Sequence, residues 1–568
     1  MSTYSRRSFL EASALVGASS TLFPGILYAE AKDADDITVE HIKAAEVLAG
    51  ISFSPEQREM MLQNLERNRR SLVRLHEMKL PNSVIPCNVF DPSVGGVPTP
   101  HIQAKQPLDW KPFEVSRPSD PEDLAFMPIA ELAALLKARK VTSVELTELY
   151  LGRLKKFDSV LHCVVTLTEE RAMRQARAAD AELDAGSWRG PLHGIPWGAK
   201  DLLAVKGYPT TWGAMPYKDQ QFDYDADIVR RLDQAGAVLI AKLTLGALAM
   251  GDVWFGEKTR NPWNPDQGSS GSSAGPGSAV AAGLVGFAIG SETLGSIVSP
   301  STRNGVTGLR PTFGRISRSG AMTLSWTMDK LGPMCRSAEC CALVFETVHG
   351  AEASDPTSVT TAFSWPSKRN VQDLRIGYLA TNFDGDYANK EADQAVLQNL
   401  RRAGLELRAV ELPETETSPI LFMLSVEASA AFEDLTLSGR ADELVSQGAG
   451  AWPNSFRAHR FIPAVDYVNA SRARTLLMKE MKELFDSVDV ILTPTFAGNT
   501  LGITNLTGHP SITLPNAFRK LDETPNPARR QPDSMTIIGQ LYQDESVIAL
   551  ADFIQSRTDH HKQRPPIA

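Results

Sequence analysis

Two clusters of glycine and serine constrain this chain more than any other feature. The first reads Gly268-Ser269-Ser270-Gly271-Ser272-Ser273-Ala274-Gly275. The second reads Gly290-Ser291-Glu292-Thr293-Leu294-Gly295-Ser296-Ile297. Between them lie a small-residue stretch, 278–283, that reads as a helix, and an apolar run, 285–289, that reads as a short strand. A flexible linker would not carry a helix and a strand between its glycines. Glycines at a strand end let the backbone turn tightly and approach a ligand closely. They also leave backbone N–H groups free to point into a cavity, as an oxyanion hole requires.

A loop of this kind can also cradle a phosphate. Here, however, there is no GxxxxGK[ST] and no GxGxxG. No His and Asp stand out either as partners for a Ser-His-Asp triad. A serine nucleophile in these loops therefore needs another base, and lysine is the usual substitute. Lys200 is the candidate. It follows Gly194-Ile195-Pro196-Trp197-Gly198-Ala199, an apolar run that predicts a buried strand. Burial strips water from an ammonium and lowers its pKa, by up to about 3–5 units when complete. The uncharged amine can then accept a proton. The competing reading is an ion pair with the adjacent Asp201 or another carboxylate.

The rest of the chain reads as α/β. Helix, glycine and strand follow one another at 226–235, Gly236 and 237–241, and again at 391–403, Gly404 and 405–411. Thr142-Ser143-Val144-Glu145 caps a helix bearing Leu146, Leu149, Tyr150 and Leu154, and an Ala-rich helix follows at 169–184. One α/β domain is expected over 122–556, with a tail at 557–568. Residues 32–121 read as a helical extension and linker. Ser54-Pro55-Glu56-Gln57 starts a helix with Leu62, Leu65, Leu72 and Leu75 on one face, and 81–121 is rich in Pro, Ser and Gly.

Residues 1–31 read as a secretory signal of twin-arginine type. Ser5-Arg6-Arg7-Ser8-Phe9-Leu10 precedes an apolar stretch, 12–27, and the small residues Ala29 and Ala31. The protein is therefore expected to be exported, periplasmic or secreted. No later stretch is long and apolar enough to span a membrane. A net charge of -9 argues against a nucleic-acid partner. The five cysteines are scattered, without metal-ligand spacing, and predict neither a disulfide framework nor a zinc site.

With these motifs the chain resembles the amidase signature family. The resemblance runs through Gly190-Pro191-Leu192-His193-Gly194-Ile195-Pro196, Lys200-Asp201, Arg260-Asn261-Pro262-Trp263-Asn264 and Gly271-Ser272-Ser273-Ala274-Gly275. It continues through Gly295-Ser296-Ile297, Gly305-Val306-Thr307-Gly308-Leu309-Arg310-Pro311-Thr312, Gly314-Arg315-Ile316-Ser317, Gly332-Pro333-Met334 and Asn505-Leu506-Thr507-Gly508-His509-Pro510. It implies a single large domain with a central mixed β-sheet covered by helices on both faces. It makes Lys200 the catalytic lysine, Ser272 a bridging serine on a cis peptide bond, and Ser296 the nucleophile. Thr293, Leu294 and Gly295, with Ser296 itself, would supply the oxyanion hole. The implied reaction is cleavage of a small-molecule amide through an acyl-enzyme, with no metal and no cofactor. The alternatives are ester or carbamate cleavage, an inactive homologue, or an ammonia-producing amidotransferase subunit. A homodimer is compatible with the family.

Three positions depart from the family pattern. Leu294 stands where glycine is common, and leucine resists positive φ. Val298 stands where many members have arginine, which predicts a lost ionic contact beside the nucleophile. Gly246-Ala247-Leu248 replaces an acidic pair. Together they predict a more apolar site. The resemblance implies that the segment with Met250, Trp254 and Phe255 flanks it, unless these side chains are ordinary core, and that 365–480 shapes the pocket.

Overall fold

Eleven short runs, most of them apolar, pair into one twisted sheet in the computed structural model, which describes residues 36–78, 88, 110–521 and 526–567. Across the sheet the strands are Val164–Leu167, Val238–Leu243, Pro196–Lys200, Phe287–Glu292, Lys330–Cys335, Thr307–Arg310, Ser511–Lys520, Arg530–Gly539, Val490–Pro494, Ile376–Leu379 and Leu407–Val410. Pairing is mixed. Pro196–Lys200 runs parallel to both of its neighbours, whereas Lys330–Cys335 lies antiparallel to both of its own. Helices flank the sheet, as the resemblance implied. The leader expected at 1–31, Cys87 and nearly all of 81–109 fall outside the described residues.

The central strands are buried end to end, so their sequences need not alternate. Trp197 is fully buried and stacks on Phe287 with ring centroids 5.9 Å apart and planes 8° from parallel. That contact joins the strand carrying Lys200 to the strand leading into the second glycine–serine cluster. Around the sheet the expected helices form. Thr142 and Glu145 make a reciprocal cap on Ser143–Leu161, and Glu169–Asp184 follows. Asp227–Gln234 ends before Gly236, whose φ of +77° suits glycine. The helix expected at 278–283 instead spans Ala274–Ala281, and the strand expected at 285–289 spans Phe287–Glu292. Both shifts bring the glycine–serine clusters to the edges of regular elements rather than into long loops.

Residues 36–78 belong to a second compact unit, with 416–442 and 446–476. Here Pro55–Glu77 buries Met61, Leu65, Leu72 and Leu75 along one stripe. Ser418–Ala431 and Trp452–His459 cover it. Asn454 Nδ2 ties the pieces by donating to the carbonyls of Met60 (2.9 Å) and Ala449 (2.8 Å). Among the described residues no helix is long and apolar enough to cross a membrane.

Truncating the ring that joins the two site-bearing strands should be costly. Trp197→Ala is expected to lower the unfolding free energy by about 3–5 kcal/mol, read from chemical denaturation.

Candidate active site

Lys200 is the last residue of Pro196–Lys200, and Glu292 the last of the neighbouring parallel strand Phe287–Glu292. Carboxyl ends of adjacent parallel strands are where open α/β sheets place their ligands. The Lys200 side chain is fully buried. Its Nζ stands 2.8 Å from Ser272 Oγ, 3.0 Å from Ser273 Oγ, 2.8 Å from Ser291 Oγ and 3.4 Å from the Ser291 carbonyl. The Gly271–Ser272 peptide is cis.

Among the described residues no carboxylate touches the amine. Asp201, the neighbour that offered an ion pair, is held by Lys242 at 2.6 Å and accepts the Thr211 N–H at 2.9 Å. The ion pair considered from the sequence is thus formed by a different lysine. Asp201 lies in the turn just past the strand, where Lys242 and Thr211 hold it. Burial pushes the Lys200 amine well below the ordinary lysine range, against the smaller opposing pull of Asp329 and Glu292.

Ser272 and Ser273 immediately precede the helix Ala274–Ala281. The backbone there is crowded: a Cβ on Gly271 would stand 1.8 Å from the Gly251 carbonyl oxygen, so only glycine fits. Asp252 braces the same turn by accepting the Ser270 N–H at 3.0 Å. The segment carrying Met250 therefore flanks the site as a buttress.

Ser296 is half-buried, and its hydroxyl bonds to no described residue. Its carbonyl accepts the Ser273 N–H at 3.1 Å, which ties the two serine loops together. A direct hydrogen bond between the Ser272 and Ser296 hydroxyls is absent among the described residues. The backbone N–H groups of Thr293, Leu294, Gly295 and Ser296 likewise donate to no described acceptor. Gly295 takes the left-handed conformation, φ +91°, while Leu294 is not among the residues at positive φ. The conflict anticipated at Leu294 does not arise, because the turn falls one residue later.

Two carboxylates that the sequence reading did not single out fix this loop. Glu292 accepts the N–H groups of Ile297 (2.8 Å) and Val298 (3.0 Å), Asn505 Nδ2 (2.8 Å), and Arg310 at 2.6 Å. Burial alone would raise its pKa, but Arg310 and the N–H donors outweigh it and hold the carboxyl at about 2. Val298 contributes only its N–H to this network, which Glu292 accepts. Asp329 accepts the Thr293 hydroxyl at 2.6 Å and the N–H groups of Leu324 (2.8 Å) and Ser325 (2.9 Å). The available signal was indirect: Arg310 and Asn505 lie in the quoted motifs, and Glu292 lies inside the second cluster.

A cavity of about 340 Å³ opens on Ser291 and Thr293. Leu202, Met322, Leu324 and Leu331 wall it, with Arg318 and Trp326 toward its mouth. Residues between 318 and 331 and between 354 and 357 supply most of its lining. Ala249 lines it, whereas Met250, Trp254 and Phe255 do not. Among the described residues no cluster of His, Cys, Asp or Glu has the makings of a metal site, and the four described cysteines are free and buried.

Because Glu292 titrates at about 2 in the folded chain and near 4.5 unfolded, the stability it confers is complete above about pH 4.5. It is lost as pH falls toward 2. Glu292→Gln should lower stability at pH 7 by about 3–5 kcal/mol, since Arg310 stays buried without its partner. It should also flatten the acid limb of the unfolding curve, as urea denaturation across pH will read.

Comparison with known proteins agrees with this geometry. The amidase family model matches residues 145–504. Among glutamyl-tRNA(Gln) amidotransferase A subunits, that of Halorhodospira halophila is 32% identical over 491 residues, covering 77% of this chain and 98% of the relative. The crystal structure of native peptide amidase from Stenotrophomonas maltophilia superposes with a TM-score of 0.67 at 27% identity, covering 78% of this chain and 99% of that one. A bacterial aryl acylamidase of the amidase signature enzymes shares the fold, with a TM-score of 0.67 at 22% identity over 78% of this chain and 99% of that one. The chain belongs to the amidase signature family.

Proposed function

We propose that this protein is an exported serine amidohydrolase that cleaves a small-molecule amide through an acyl-enzyme on Ser296. One observation carries the reading: a fully buried amine stands 2.8 Å from the Ser272 hydroxyl with no carboxylate against it. Uncharged, Lys200 draws a proton from Ser272, and Ser272 draws one from Ser296. Ser296 Oγ then bonds to the amide carbon. The N–H groups of Thr293, Leu294, Gly295 and Ser296 receive the oxyanion; losing one such donor typically costs about 10²–10³ in rate. The proton returns through Ser272 to the departing amine as the C–N bond breaks, and water hydrolyses the ester. The Ser272–Ser296 contact closes when substrate orders the Ser296 hydroxyl, a tightening common between free and loaded enzymes.

Ser273 is less suited to the bridge. Its hydroxyl hydrogen is committed to the Ser291 carbonyl at 3.1 Å. Esters and carbamates form the same acyl-enzyme and fall within the proposal.

The 32% identity to an amidotransferase component supports a second reading, in which the ammonia passes to a partner. The leader at 1–31 weighs against it, and hydrolysis by the isolated chain separates the two.

Amine release from a panel of amides, esters and carbamates tests the chemistry. Ser296→Ala and Lys200→Met are each expected to lower kcat about 10³-fold or more while the fold persists. Because the active amine is the unprotonated one, kcat/KM should rise with pH through the Lys200 titration. Unchanged turnover in Ser296→Ala would refute the nucleophile. Export is checked by fractionation: the double substitution Arg6→Lys with Arg7→Lys should hold the protein in the cytoplasm.

A further inference from the structure

Three hydroxyls converge on the Lys200 amine, and the reaction proposed above employs only one. An uncharged amine offers two N–H donors and one lone pair, while each hydroxyl gives one hydrogen and accepts others. Ser273 is fixed in its role. It gives its hydrogen to the Ser291 carbonyl and accepts the Ser291 N–H, both at 3.1 Å. Toward Nζ it can only accept, so one amine N–H faces it. The Ser291 carbonyl lies farther off, at 3.4 Å, so the closer hydroxyls of Ser272 and Ser291, each at 2.8 Å, divide the remaining N–H and the lone pair. Abstraction from Ser272 requires the lone pair on that side. The last N–H then faces Ser291, whose own hydrogen must point elsewhere. Ser291 lines the 340 Å³ cavity, and its hydroxyl bonds to no other described residue.

We propose that Ser291 is a positioning residue: its hydroxyl accepts from Lys200 Nζ and turns its own hydrogen into the cavity, leaving the amine's lone pair to Ser272. The inference rests on the reading of Ser272 as the bridge. The charges around the amine are otherwise engaged. Glu292, on the adjacent strand, is paired with Arg310. Asp329 is held by Thr293 and the loop at 324–325, with Arg318 beyond it. Lys242 and Asp201 pair with each other. None of these contacts involves the Ser291 side chain, so its removal changes one partner of the amine.

The test compares Ser291→Ala and Ser291→Thr with the parent in two measurements. One is the pH profile of kcat/KM. The other is the pH dependence of the unfolding free energy, with Lys200→Met as the reference. Protonated Lys200 donates to all three hydroxyls, so losing one acceptor disfavours the charged form. The acid limb of Ser291→Ala should move to lower pH by about one unit, and Ser291→Thr should restore it. In the folded chain Lys200 is uncharged where the unfolded chain still holds its proton. Stability therefore gains one proton's slope with rising pH from the folded pKa up to about 10.4. Ser291→Ala should extend that window downward by the same unit. An unmoved limb, a limb moved to higher pH, or a Ser291→Thr protein that behaves like Ser291→Ala overturns the proposal. A shifted stability window without turnover of any substrate upholds the placement of Ser291 and removes the amidase reading instead.

Discussion

A lysine sealed inside a protein keeps its charge only if a carboxylate or a dense set of dipoles replaces the water it has lost. Lys200 is given three hydroxyls and a carbonyl and no carboxylate. The same interior does hold a paired lysine, Lys242, with Asp201 at 2.6 Å. The two lysines lie on adjacent parallel strands, yet Asp201, next to Lys200 in the chain, goes to Lys242. That partition leaves an amine able to act as a base, and the proposed chemistry depends on it.

The loop that would receive the oxyanion is fixed from both ends by carboxylates that touch no reacting atom. Asp329 holds Thr293 at its start, and Glu292 holds Ile297 and Val298 at its end. Between these anchors four N–H groups are left without acceptors among the described residues, and a half-buried serine sits at the turn. Donors held in advance cost no reorganisation when charge develops, which is where most of the benefit of such a hole arises. The Glu292–Arg310 pair gives the loop an ionic anchor.

Much of this was legible beforehand. The glycine–serine clusters, the apolar run into Lys200 and the helix–glycine–strand alternation point to the sheet and to its active edge. What escaped the sequence was partnership across the fold. Asp201 adjoins Lys200 in the chain and yet, in the turn past the strand's end, pairs with Lys242. Glu292 finds Arg310 and Asn505 across 18 and 213 positions, a distance no local pattern spans. Helices 418–431 and 452–459 group with the extension because Pro55–Glu77 has an apolar stripe that needs cover.

The uncharged state of one amine is open to direct observation. Protein labelled with ¹⁵N in its lysine side chains, with Lys200→Met used to assign the signal, reports the protonation of Lys200 Nζ by its chemical shift across pH. The account predicts an amine signal at pH 7 that converts to an ammonium only on acidification. An ammonium signal persisting to alkaline pH would contradict it.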